Sequence, residues 1–116
     1  MSDAAKVQQR PVTTPESRDV FEDLLKQTDF AGRMLISDVL EERLAARIDY
    51  GERKYGSRLK TNNGRDVLLD IEQELLDGVQ YSHQGVMQGH RVAHIRNALI
   101  KAAEALAEYR RITEQK

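Results

Sequence analysis

The sequence predicts an all-α protein of four helices. Three observations carry that prediction. Apolar residues recur three and four apart along most of the chain, and no window alternates with the period of two that a strand needs. Only 2 of 116 residues are proline and 32% are charged, a composition that suits helices with solvated outer faces. Gly56 stands where the longest early apolar stripe runs out, as a helix C-cap would.

In chain order, residues 1–13 are polar and offer little to bury, so a flexible N-terminal segment is expected there. Residues 14–116 are expected to form a single domain. "TPES" reads as a helix start, with Thr14 as N-cap and Pro15 at the first helical position. That first helix should run to about Gln27 and bury Val20, Phe21, Leu24 and Leu25. "QTDFAGR" is a connection. A second helix is expected from about Ile36 to Lys54, with Leu40, Leu44 and Ile48 on one stripe. Tyr55 to about Asn62 has no period and reads as a loop. The third helix starts near Gly64 and passes Tyr81, its stripe being Leu68, Ile71, Leu75 and Val79. Gly78, Gly85 and Gly89 weaken its second half, where a bend or a stop is expected. The fourth helix runs from about His90 to Thr113. Its seam, Val92, Ile95, Leu99, Ala102 and Leu106, resembles a coiled-coil edge. A chain of this size buries one modest core, which a second copy would enlarge.

The totals exclude several functions. A net charge of -1 gives no global field toward nucleic acid or an anionic membrane, so neither is an expected partner. The chain has no cysteine, which rules out disulfides and thiolate zinc sites. No apolar run approaches the ~20 residues of a membrane span, and the start lacks the apolar stretch of a signal peptide. A soluble, cytoplasmic protein is expected.

Two helices carry acids in rows. With about 100° per residue, Asp66, Asp70, Glu74 and Asp77 fall within an arc of roughly 80° beside the apolar stripe of the third helix. Asp38, Glu42, Asp49 and Glu52 do the same on the second. Like charges at helical spacing repel, at a few tenths of a kcal/mol per pair. A divalent cation between them reverses that sign, and Mg²⁺ takes oxygen ligands and shares them with substrate phosphates. Between the two rows lies a cationic loop with Arg53, Lys54, Arg58, Lys60 and Arg65 and no acid. Arginine forks suit phosphate oxygens. Asn62, Asn63 and Gly64 leave backbone N–H groups at a helix start, a second anion-binding feature. The plain alternative is that both rows are solvated faces and the loop is only a soluble loop.

The segment "ERKYGSRLKTNNGRDVLLDIEQELLDGVQY" resembles the core of the MazG-like nucleotide pyrophosphohydrolases, above all the short versions of phages and their bacterial hosts. The residues that carry the resemblance are Tyr55-Gly56, Asn63-Gly64-Arg65-Asp66 and Glu74-x-x-Asp77. It covers roughly residues 36–85. It implies an all-α MazG-like bundle completed by oligomerisation, as a dimer or tetramer. It also implies Mg²⁺-dependent cleavage of a nucleoside triphosphate to monophosphate and pyrophosphate. By the match, Glu74 and Asp77 would bind metal together with a Glu-Glu-x-x-Glu element on the preceding helix. Here "EERLA" begins with Glu41-Glu42, but Ala45 stands in place of the third glutamate. A second register supplies Asp49 and Glu52 and lacks the first acid.

The expected metal set is therefore Glu42, Asp49, Glu52, Asp70, Glu74 and Asp77, with Glu42 and Glu74 as the catalytic candidates. Lys54, Tyr55, Arg58, Lys60, Asn63 and Arg65 are the expected substrate contacts. Tyr50 and Tyr55 could stack on a base or simply pack. An incomplete metal set would instead give a nucleotide-binding protein that does not cleave its ligand. A third possibility is a helical interaction module. His90 and His94 lie four apart and could share zinc, but no third ligand is evident. Glu72 falls within the apolar arc of the third helix, facing either an arginine or a second copy.

Overall fold

The computed structural model describes residues 7–114. All its regular structure is helical: α1 (Val20–Lys26), α2 (Asp38–Tyr55), α3 (Val67–Met87) and α4 (Ala93–Glu114). Among the described residues there is no strand, only two isolated β-bridges, Asp19 with Lys60 and Thr28 with Met34. The chain divides into two compact units. One is Arg10–Gly64. The other is Arg65–Lys116 together with the N-terminal segment that ends at Gln9.

In the Arg10–Gly64 unit, the first helix starts later than Thr14. Thr14 and Ser17 form a turn, in which the Ser17 N–H donates to Thr14 O at 3.0 Å and the Thr14 N–H donates to Ser17 Oγ at 3.0 Å. The next residues run extended against the loop before α3. Val20 N donates to Leu59 O, Thr61 N to Arg18 O, and Arg18 N to Thr61 Oγ1. Asp19 is the real N-cap, accepting from Glu22 N at 2.9 Å. A pairing some forty residues away in sequence thus displaces a local start signal. The connection to α2 is held by Asp29, whose Oδ1 accepts from the backbone of Ala31 and Arg33. Ser37 caps α2 through Leu40 N. Gly56 ends it at φ 85, in the left-handed region that a side chain disfavours, and returns its N–H to Glu52 O. Val20, Phe21 and Leu24 face Leu44, Ile48 and Leu59 across an apolar cleft of about 210 Å³.

In the other unit, Asp66 caps α3 through Leu69 N. The helix does not stop at Gly78 or Gly85; it ends at Met87, just before Gly89. Their use is close approach. A Cβ on Gly78 would lie 3.4 Å from Leu99, and one on Gly85 3.0 Å from Val92. Glu72 meets Arg110 further back. The pairings 85 with 92, 78 with 99 and 72 with 110 make α3 and α4 an antiparallel hairpin. Its turn passes through Gly89 at φ 92.

The expected stripes are only half covered. Leu68, Leu75 and Val79 are half-buried, whereas Ile71 stays 43% exposed and Ile95 45%. Leu69, one position off the expected stripe, is the one buried residue among those described. Within residues 1–13, expected to be flexible, Gln8, Gln9 and Val12 make hydrogen bonds as described next; residues 1–6 lie outside the described residues.

Candidate functional site

The start of α3 is built by reciprocal polar contacts. Arg65, just before the cap, donates from Nη2 to Asp70 Oδ1 at 2.6 Å and from Nε to Asp70 Oδ2 at 3.1 Å. Its Nη1 donates to the Gln9 carbonyl at 2.7 Å. The Gln8 amide donates to Asp70 Oδ1 at 2.7 Å and to Asp66 O at 3.1 Å, while its Oε1 accepts from Asp66 N at 2.5 Å. Two parallel N–H···O bonds to one carboxylate are the strong form of this pairing. The bonds to Asp70 raise the Arg65 pKa above its ordinary value, against a smaller opposing effect of burial. Arg65 is thus a clamp that joins Asp70 to the N-terminal segment. Its place beside Asn63-Gly64 marks Arg65 for phosphate, whereas Gln8 and Gln9 carry no local signal that names them as its neighbours.

The remaining loop cations have mixed engagements. Arg58 Nε lies 3.1 Å from Asp19 Oδ2, and its guanidinium sits over the Phe21 ring at 5.6 Å. That Nε has no aligned hydrogen bond, so the contact is a charge pair between half-buried groups. Lys54 lies over Tyr55 at 5.3 Å and over Tyr50 at 5.8 Å, and Arg47 over Tyr50 at 5.3 Å. Tyr55 remains 71% exposed beneath Lys54. Lys60 is exposed and joins the bridge to Asp19 through its backbone. Asn63 accepts from Val12 N at 2.7 Å, and the neighbouring Asn62 holds a positive φ of 50.

The acids divide by engagement. Asp70 is taken by Arg65 and Gln8. Glu74 and Asp77, one turn apart on α3, are exposed, and their carboxylates bond no other described residue. Glu42, Asp49 and Glu52 on α2 are likewise exposed with unpaired carboxylates among the described residues. The α2 acids belong to one unit and the α3 acids to the other. Among the described residues, no three His, Asp or Glu side chains converge into a group that could hold a metal ion. His90 lies in the turn before α4 and His94 in its first turn, both exposed. Glu72 pairs with Arg110 at 3.3 Å, the intrachain alternative for that residue.

Comparison with family models, curated proteins and solved structures finds no match for this chain. Among the described residues, no helix is long and apolar enough to cross a membrane.

Proposed function

We propose that this chain is a Mg²⁺-dependent nucleotide pyrophosphohydrolase of the MazG-like kind, acting on a nucleoside triphosphate in the cytoplasm. The observation that carries the proposal is the Glu74–Asp77 pair: two exposed carboxylates, one helical turn apart, with no cation beside them among the described residues. Leaving two such groups unneutralised costs a little helix stability. The neighbouring Asp70, by contrast, is paired with Arg65. In this proposal Glu74 and Asp77 hold the ion. Bound Mg²⁺ would supply charge neutralisation at the phosphates and activation of water. Arg65 keeps its clamp role and orients the segment beside Asp70.

A second copy is part of the proposal. Val39 is 75% exposed and Val67 64%, in addition to Ile71 and Ile95. Apolar exposure on this scale favours association, and symmetric dimers are its commonest form. Light scattering at micromolar concentration should give at least twice the monomer mass.

One specific observation favours a second reading, a nucleotide-binding protein that does not cleave. Ala45 interrupts the acidic element, and no three acids converge among the described residues. A single experiment separates the two. The full chain is incubated with a panel of nucleoside triphosphates, with and without Mg²⁺, while binding and pyrophosphate release are both measured. Mg²⁺-dependent release supports hydrolysis. Binding without release supports the second reading, and neither binding nor release removes both.

A further inference from the structure

Arg96 differs from its neighbours in what neutralises it. Arg65, Arg110 and Arg111 each meet a carboxylate. Arg96 meets two neutral groups: Nη1 donates to His83 Nδ1 at 3.1 Å, and Nε and Nη2 donate to Asn97 Oδ1 at 3.1 and 3.0 Å. A guanidinium only donates, so in this contact His83 accepts through Nδ1. Three of the five guanidinium N–H groups are used, which leaves two without a partner among the described residues. The side chain is half-buried and held at both ends, so its unspent donors are oriented in advance.

Arg96 borders a groove of about 500 Å³ between the second half of α3 and the first half of α4. Val79, Met87 and Ile100 supply apolar wall, Gln80 and Gln84 supply amides, and no acid lines it. The volume lies in the range of small-molecule sites, and the combination of apolar wall with a few convergent polar groups is the usual one. At about 100° per residue, Val79 and His83 lie about 120–180° around α3 from Glu74 and Asp77, while Gln80 and Gln84 share the Asp77 face. Neither Glu74 nor Asp77 lines the groove, and the inference does not rest on the nucleotide proposal.

We infer that this groove binds a small organic anion, a carboxylate or phosphate carried on an apolar body. The anionic head takes the two free N–H groups of Arg96 and supplies the negative charge that the site lacks. The body lies against Val79, Met87 and Ile100. His83 and Asn97 are positioning residues, since they hold the guanidinium by its other donors.

The test uses the full chain and four probes followed by backbone amide NMR: benzoate, phenyl phosphate, benzyl alcohol and acetate. Benzoate or phenyl phosphate should shift amides of Val79–Met87 and Ala93–Ile100, and the stronger of the two identifies the head group. Benzyl alcohol lacks the charge and acetate lacks the body, so each should bind about tenfold more weakly. Arg96→Gln should remove the preference for benzoate over benzyl alcohol. Met87→Ala, at an exposed position that the fold does not depend on, should weaken benzoate and leave acetate unchanged. Equal binding of benzoate and benzyl alcohol, shifts confined to other parts of the chain, or no binding by either aromatic anion would overturn the inference. So would an Arg96→Gln protein that keeps the anion preference.

Discussion

The Arg65 guanidinium meets Asp70 through two hydrogen bonds, 2.6 and 3.1 Å long, and spends its third nitrogen on the Gln9 carbonyl. The pair is partly solvated, with side chains 24% and 33% exposed, so water weakens its attraction. Its bidentate geometry places it near the upper end of surface pairs. A double-mutant cycle with Arg65→Ala and Asp70→Ala should therefore give a coupling of about 1 kcal/mol in chemical denaturation. Arg65→Ala should also speed hydrogen exchange at the Asp66 amide, because Gln8 is held by the same cluster. For a nucleotide ligand, the clamp predicts equal affinity losses for triphosphate and monophosphate in Arg65→Ala. A selectively larger triphosphate loss would return Arg65 to the role of phosphate grip.

Two glycines in α3 provide a matched comparison. Both are helical, so alanine should gain propensity of roughly 0.8–1 kcal/mol at either site. At Gly78 the new Cβ would sit 3.4 Å from Leu99, an ordinary contact. Gly78→Ala should raise the melting temperature. At Gly85 it would sit 3.0 Å from Val92 Cγ2, and one of the two must move. Gly85→Ala should gain less or lose stability, and Val92→Ala in the same chain should restore the gain. Equal gains from the two single substitutions would argue against the close approach of α4.

Glu72 and Arg110 should respond unequally to removal. Arg110 has Glu114 as well as Glu72, whereas Glu72 Oε1 is buried without a hydrogen-bond partner. Removing Arg110 strands a carboxylate in a half-buried place; removing Glu72 leaves the arginine a second acid. Arg110→Met should therefore lower the melting temperature more than Glu72→Met. The double replacement should recover part of the Arg110→Met loss, and calorimetry on the three proteins decides the order.

Glu74→Gln tests the proposed function at its narrowest point. The change keeps size and removes the charge that an ion needs. Since Glu74 is exposed and unpaired among the described residues, folding stability should stay within about 0.5 kcal/mol of wild type. Mg²⁺-dependent pyrophosphate release should fall to background. A folded variant with full turnover would show that Glu74 is not an essential ligand.

The sequence by itself determined the helices, because a helix is specified by neighbours three and four apart. The stripe of Leu44 and Ile48, the cap at Gly56 and the run of α4 through Leu99 and Leu106 were all legible on that basis. The acidic rows were legible for the same reason, since Glu74 and Asp77 share a face whatever surrounds them. Tertiary structure decided what the local pattern left open. Thr14 and Pro15 carry a helix-start signal, yet the pairing of Arg18 and Val20 with Leu59 and Thr61 holds the chain extended until Asp19. Gly78 and Gly85 look like weak points in isolation, yet α4 comes close against them and the helix continues. Arg65 looks like a phosphate ligand beside Asn63-Gly64, yet Gln9, far away in sequence, takes one of its nitrogens. The groove beside Arg96 exists only because the hairpin brings His83 across from it, thirteen positions distant in sequence. In each case the deciding contact joins residues that no helical period connects. A charged or conformationally free group accepts whichever partner the fold delivers, and the local sequence does not encode that delivery.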